Sequence, residues 1–295
     1  MSYERLDHCP LCQKTEFKNF LVVQDKSVSQ ESFVIVQCEN CGFKFTNPRP
    51  NEKSIGTYYE SEDYISHSNT SKGIINKAYK IVRSMTVRQK VDLLNRVSEK
   101  GGILDYGCGT GHFLEACQKD GWEVSGVEPN DTARQQASNL IHKPIWPALQ
   151  QEMEPLSFRV VTLWHVLEHI HTLHETFGHL VQLTRPQGLV IVAVPNADSL
   201  DAEEYKENWA AYDVPRHLYH FNQQTMKRFL KKHKLELLET IPMKFDAYYV
   251  SMLSEKYLEK KTSLVRFMLK GYKFNRYASQ NRNNYSSLIY VARKR

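Results

Sequence analysis

From Gly101 to the C-terminus, short apolar runs alternate with stretches in which apolar residues return every three or four positions. The runs are GILDY (102–106), WEVSGVE (122–128), FRVVTLWH (158–165) and GLVIVAVP (188–195), with later ones at LELLET (235–240) and SSLIYVAR (286–293). Short apolar runs between turn signals read as strands buried on both faces, and the helical periodicity between them supplies the layers that cover a parallel sheet. The pattern predicts an α/β domain. Upstream, residues 71–97 read as one long amphipathic helix, with Ile75, Tyr79, Val82, Val87, Val91 and Leu94 near helical spacing. FLVVQ (20–24) and SFVIVQC (32–38) read as strands of a smaller unit. Composition shifts divide the chain into a small module at 1–50, a tyrosine-rich linker and helix at 51–100, and the α/β domain at 101–295.

The turn after the first α/β strand, LDYGCGTGHF (104–113), sets Gly107, Gly109 and Gly111 ahead of a helix whose first N–H groups would face a ligand. Such a turn can be purely structural, or it can cradle a nicotinamide dinucleotide. Two details oppose the dinucleotide. The spacing is GxGxG instead of GxGxxG, and Asp105 stands directly before the turn, where its carboxylate repels a pyrophosphate and attracts an amino or sulfonium cation. Glu128, at the end of the second strand, suits the two hydroxyls of a ribose.

With TLWHVLEHI (162–170), PQGLVIVAVPN (186–196) and DVPRHLYHFN (213–222), these motifs resemble the class I S-adenosylmethionine-dependent methyltransferases over roughly residues 100–295. The resemblance implies a Rossmann-like, mostly parallel seven-stranded sheet flanked by helices. It places Asp105, Gly107, Gly109 and Gly111 against the methionine part of S-adenosylmethionine, Glu128 on the ribose, and Trp164 and His165 in the cleft. Tyr58, Tyr59 and Tyr64 are candidates for an aromatic lid over the cationic cofactor. They would equally serve to pack the N-terminal module onto the core.

CPLC (9–12) and CENC (38–41) form two CxxC knuckles. Four thiolates satisfy a tetrahedral zinc ion, so Cys9, Cys12, Cys38 and Cys41 predict a structural zinc in a ribbon-like module, with no open coordination position for catalysis. The competing reading is four ordinary buried cysteines. A four-cysteine module ahead of a tyrosine-rich linker and this core is similar to sugar C-methyltransferases, which makes a sugar nucleotide one candidate acceptor.

Residues 164–175, WHVLEHIHTLHE, are rich in histidine. Three readings stand together: His169 packs the fold while His171 and His174 are solvated; His165, Glu168 or His169 acts as general base or orienter, with His217 as a second proton acceptor; or His165, Glu168, His169 and His217 bind a divalent metal, in resemblance to the Glu-x-x-Glu-His pattern of metal-assisted methyltransferases with His165 in place of the first Glu. WAAYDVPRHLYHF (209–221) adds Trp209, Tyr212, Arg216 and His217 as a substrate wall, with Arg216 suited to grip a phosphate or carboxylate.

Charge and composition bound the rest. The 295-residue chain carries a formal +6, and residues 256–295 hold eleven Lys and Arg against Glu259 alone. No stretch approaches the ~20 apolar residues of a membrane span, the polar start lacks a secretory segment, and paired cysteines suit a reducing compartment, so the expected location is the cytoplasm. KYLEKKTSLVRFMLKGY (256–272) reads as a helix with an apolar stripe beside a cationic one. It would either pack across the sheet with its lysines solvated or make peripheral contact with anionic membrane. An RNA methyltransferase or a zinc-ribbon nucleic-acid-binding module is the alternative class. Against it, the Asn/Asp-Pro-Pro-aromatic motif of base N-methylation is absent, VPNA (194–197) being the nearest match. The expectation is a methyltransferase using S-adenosylmethionine on oxygen or carbon of a small molecule.

Overall fold

The computed structural model describes residues 2–59, 74–150, 155–258 and 264–295, and the side chains of residues 74–81 lie outside that description. The N-terminal strands are β1 (Tyr3–Glu4), β2 (Phe17–Gln24), β3 (Ser32–Cys38), β4 (Lys44–Thr46) and β5 (Arg49–Pro50). Helix α1 (Ile74–Val97) leads into β6 (Gly102–Tyr106), α2 (His112–Lys119), β7 (Glu123–Val127), α3 (Asp131–Ile141), β8 (Phe158–Trp164), α4 (Leu173–Leu183) and β9 (Thr184–Pro195). The chain continues through α5 (Leu200–Tyr205), β10 (Tyr219–His220), α6 (Gln223–Lys232), β11 (Leu235–Pro242), α7 (Asp246–Tyr257), α8 (Leu264–Gln280) and β12 (Ser287–Lys294).

The central sheet has the order β11-β12-β9-β8-β6-β7. Its β7, β6, β8 and β9 are parallel, and β12 runs antiparallel between β9 and β11. Burial on both faces accounts for the apolar runs: α1, α2 and α3 cover Ile103, Val160 and Ile191 on one side, and α4 and α6 cover Leu104, Val161 and Val192 on the other. Six strands are present among the described residues where seven were expected. Beyond β7, a single parallel bridge from Val127 to Trp146 stands where a further strand would lie. Pro144, two residues before Trp146, offers no N–H to continue the ladder towards the start of β7.

The cysteine-bearing segment does not stand apart from this core. Its sheet has the order β10-β4-β3-β2, and β10 comes from the α/β part, with Tyr219 paired to Phe45. Cys9, Leu11, Cys38, Cys41 and Phe43 belong to the same apolar cluster as Phe177, Leu180 and Phe229 of α4 and α6. The 256–272 stretch is shared between the end of α7 and the start of α8, with 259–263 outside the described residues. Among the described residues no helix is long and apolar enough to cross a membrane.

Candidate active site and metal centre

The three glycines have distinct roles. All have positive φ: 77° at Gly107, 55° at Gly109 and 81° at Gly111. A Cβ on Gly107 would lie 2.5 Å from Val166 Cγ2 and one on Gly111 2.8 Å from Ala137 Cα, so close packing excludes larger residues there. A Cβ on Gly109 would meet nothing within 4 Å, so its bare face opens to space. Glu128 holds this turn from the neighbouring strand: Gly109 N donates to Oε2 at 2.8 Å and Asn130 N to Oε1 at 2.9 Å.

Asp105 is only 2% exposed and accepts from Thr162 Oγ1 at 2.6 Å. Burial pushes its pKa up to about 7, against the opposing pull of that hydrogen bond and of the Lys90 ammonium. Lys90 was missed in the sequence. Its Nζ lies 4.3 Å from the Trp164 ring and 5.9 Å from that of Phe113. Burial depresses the Lys90 pKa, while the charges of Asp105 and Asp246 oppose that fall. The available signal was a lysine on the buried side of a helix, one position from Val91 and four from Leu94. Trp164 is buried and meets Phe113 edge-on at 5.4 Å, and its Nε1 has no hydrogen-bond partner among the described residues.

After β8 the chain does not enter an α-helix. His165 adopts φ 56°, and Leu167–His169 form a single 3-10 turn. His165 therefore meets two carboxylates, with Nδ1 3.4 Å from Glu168 Oε1 and Nε2 3.1 Å from Asp246 Oδ2. Burial disfavours its charged form, but Asp246 and Glu168 outweigh burial and push the pKa up to about 10. With both ring nitrogens turned to carboxylates, His165 offers no free acceptor nitrogen to a substrate.

Glu168 is fully buried, and neither carboxylate oxygen has a hydrogen-bond partner among the described residues. Burial opposes its ionisation, yet His165 and the neighbouring histidines hold its pKa below the usual carboxylate range. His169 Nδ1 lies 2.9 Å from the carbonyl of Arg216 and 3.0 Å from Tyr59 Oη, and His217 Nδ1 lies 2.8 Å from the carbonyl of Ala211. Both rings therefore hold Nδ1 to a backbone carbonyl, which leaves Nε2 of His169 as its acceptor, while Nε2 of His217 lies 3.9 Å from Asp213 Oδ2. Burial, then the charge of His217, push the His169 pKa down to about 4. The His169 and His217 rings meet edge-on at 4.6 Å, and one ligand atom from each of Glu168, His169 and His217 lies within 4.8 Å of the others.

Several expected roles change. Arg216 grips no ligand. Its guanidinium is buried, 3.0 Å from Asp25 and 2.7 Å from Asp213, and donates to the carbonyl of Tyr58 at 2.8 Å. Trp209 and Tyr212 lie in the core instead of lining a substrate wall. His171 and His174 are half-buried and tied to the protein: His171 Nε2 bonds the carbonyl of Pro50 at 3.0 Å, and His174 bridges His233 Nε2 at 2.8 Å to the carbonyl of Pro10 at 2.7 Å. Tyr58 is buried and donates to Glu31 at 2.7 Å, whereas Tyr59 reaches His169. Tyr64 lies outside the described residues.

The four thiols converge. Sγ of Cys9 lies 3.6 Å from that of Cys41, and Sγ of Cys12 lies 3.5 Å from that of Cys38. Sulfurs 2.3 Å from a tetrahedral ion stand about 3.8 Å apart, so the cluster fits a zinc ion with little adjustment. Both knuckles share one backbone pattern. Cys9 N donates to Lys14 O and Gln13 N to Cys9 O, just as Cys38 N donates to Phe43 O and Gly42 N to Cys38 O. The residue after each knuckle, Gln13 or Gly42, is left-handed. Burial pushes the Cys41 thiol up to about 11 despite the Phe43 N–H it accepts. In Cys12 burial is outweighed by the Lys14 N–H and the Asn40 amide, which bring the thiol down to about 7.

A mostly parallel sheet with flanking helices and a glycine turn at the end of β6 defines the class I methyltransferase fold. Residues 82–240 match the methyltransferase-domain family, more than half of the chain, and the chain belongs to that family. The ubiquinone biosynthesis O-methyltransferase of Rhodopseudomonas palustris strain HaA2 is 26% identical over 143 residues, 44% of this chain and 55% of that protein. That of strain TIE-1 is 25% identical over 152 residues, 47% and 58% of the two chains. The chain thus spans about half the length of the curated relatives it matches. Magnesium protoporphyrin IX methyltransferase of Synechocystis PCC 6803, with bound SAH, shares the fold at TM-score 0.53 and 15% identity, over 83% of this chain and 100% of that one. Geranyl diphosphate methyltransferase, in complex with SAM, does so at TM-score 0.52 and 13% identity, over 79% and 95%.

Proposed function

We propose that the protein transfers a methyl group from S-adenosylmethionine to an oxygen or carbon of a small-molecule acceptor. The observation that carries this reading is the Gly109 turn, bare on its open face and held by Glu128, beside the buried carboxylate of Asp105. Bound S-adenosylmethionine supplies a methyl group already activated on a sulfonium. Glu128 receives the ribose hydroxyls, Gly109 lets the backbone approach the methionine moiety, and a cationic ligand favours ionised Asp105. The neutral His169 takes the acceptor's proton on Nε2, and buried Glu168 stabilises the imidazolium that forms. Tyr59 and the Arg216 carbonyl hold the ring in place. The four cysteines hold a structural zinc. A sugar nucleotide is a candidate acceptor through the resemblance of the N-terminal module.

A second reading gives Glu168, His169 and His217 to a divalent cation that would draw the acceptor oxygen. Two features favour it: the buried carboxylate of Glu168, whose oxygens accept no hydrogen bond among the described residues, and the two rings whose Nδ1 is tied to a backbone carbonyl. Either way, the test is twofold. Calorimetry should show S-adenosylhomocysteine binding by the wild type and by His169→Asn, and none by Asp105→Ala with Glu128→Ala. Labelled S-adenosylmethionine incubated with metabolite extract should yield a labelled small molecule with the wild type alone. Failure to bind S-adenosylhomocysteine, or label found only on RNA, would overturn the reading.

A further inference from the structure

Three segments far apart in sequence meet at one guanidinium. Arg216 Nη1 donates to the carbonyl of Tyr58 at 2.8 Å, Nη2 to Asp25 Oδ1 at 3.0 Å and Asp213 Oδ1 at 2.7 Å, and Nε to both oxygens of Asp213 at 3.1 Å. The planar fork holds its N–H donors in fixed directions, so partners on three sides leave the side chain one position. Asp25 is the anchor from the N-terminal module. It lies in the turn between β2 and β3, is 1% exposed, and accepts from the backbone N–H groups of Ser27, Val28 and Ser29 and from the hydroxyls of both serines. Beside it, Lys26 Nζ donates to Asn208 Oδ1 at 2.7 Å and to the carbonyl of Tyr257 at 2.6 Å, which clamps the turn to the α/β part.

Both groups that meet His169 Nδ1 hang from this node. One is the carbonyl of Arg216 itself, at 2.9 Å. The other is Tyr59 Oη, at 3.0 Å, and Tyr59 follows the residue whose carbonyl Arg216 holds. A carbonyl only accepts, so the bond to Arg216 requires hydrogen on Nδ1 and leaves the lone pair on Nε2. Asp213, oriented by the same guanidinium, stands 3.9 Å from His217 Nε2. A buried ion pair is by itself weak evidence for stability, whereas this one is one residue or one bond away from the polar groups around both rings.

We propose that Asp25 is a positioning residue of the active site: through Arg216 it fixes the carbonyl and the tyrosine that orient the His169 ring, and with them the nitrogen left free to act. The N-terminal module is then a working part of the site as well as a support for it. The consequence for catalysis rests on the methyl-transfer reading, but the orientation of the ring does not.

The tautomer of His169 tests the positioning without any turnover. Nitrogen NMR of the full chain carrying isotopically labelled histidine, with the His169 signals assigned by their loss in His169→Asn, should show one tautomer at neutral pH, with hydrogen on Nδ1. Asp25→Asn should bring the second tautomer to about a tenth of the signal or more. Arg216→Lys, which keeps the charge and loses the fork, should do the same, and the double variant should add little because both act on one carbonyl. Two serines give a matched pair that keeps every charge. Ser27 and Ser29 each donate a hydroxyl to Asp25, but only the Ser27 oxygen also accepts from Arg216. Ser27→Ala should therefore shift the tautomer in the same direction as Asp25→Asn, by less, while Ser29→Ala loosens the turn and leaves the tautomer as in wild type. Asp25→Asn should bind S-adenosylhomocysteine within about twofold of wild type, since the glycine turn is untouched, yet transfer label to metabolite extract at least tenfold more slowly. Wild type that binds no S-adenosylhomocysteine would remove the methyl-transfer reading and leave the tautomer result standing. An unchanged tautomer in Asp25→Asn, or in Ser27→Ala where the charge variants do not fold, or an equal change in Ser29→Ala would overturn the proposal.

Discussion

Alanine at Gly109 and alanine at Gly111 should have opposite consequences, because the same backbone strain is combined with different surroundings. Gly109 has φ 55° and Gly111 φ 81°, and a left-handed conformation costs an L-residue about 1–2 kcal/mol. At Gly109 nothing lies within 4 Å of the new Cβ, so strain is the whole cost. In a domain of this size about 1 kcal/mol moves the thermal midpoint by about 2–4 °C. At Gly111 the new Cβ would lie 2.8 Å from Ala137 Cα, and backbone cannot rotate away. Overpacking adds about 1–3 kcal/mol there, for a total of about 2–5. Binding should run the other way. The methyl at Gly109 occupies the open face where the methionine moiety would lie, and a hundredfold weaker binding of S-adenosylhomocysteine corresponds to about 2.7 kcal/mol. Scanning calorimetry supplies the midpoints and titration calorimetry the affinities. Gly109→Ala with wild-type affinity would refute the cradle, and a Gly111→Ala variant as stable as Gly109→Ala would refute the packing account.

Asp105 has a folded pKa raised by burial to about 7, so the fold loses stability as pH rises from the ordinary carboxylate value towards 7. Asp105→Asn should remove that slope and unfold at higher urea than wild type at pH 8, and an unchanged slope would count against the buried ionisation. His174 and His233 have the opposite sign. Burial holds both pKa values down, His233 to about 4, so their contribution is complete above the ordinary imidazole range and is lost as pH falls towards 4. Since His174 bonds the carbonyl of Pro10, proteolysis near residues 9–14 should accelerate at pH 4.5 relative to pH 7.5, and identical digestion patterns would sink the linkage. Freshly purified protein should contain one zinc per chain, and Cys9→Ser with Cys41→Ser should lose it and melt several degrees lower, because both sulfurs stand in the core shared with α4 and α6. Metal analysis without zinc would refute the assignment.

The sheet strands, the glycine turn and the cysteine knuckles were legible along the chain because each is a local requirement. A strand buried on both faces must be apolar throughout, as in 188–195, and three left-handed positions in five residues call for glycine. Two cysteines on one tight turn reach one ion whatever surrounds them. Glu128 was recognisable for the same reason, since the end of the second parallel strand lies beside the turn after the first. Polar partnerships were not legible. Arg216 finds Asp25 from 191 positions away, His165 meets Asp246 of α7, and Lys90 reaches the Trp164 ring from α1. The sequence determined which residues could ionise, donate or bury. Tertiary structure decided which did, because a charge in a low-dielectric interior is set by the few groups within several ångströms, and only the closed fold brings those groups together.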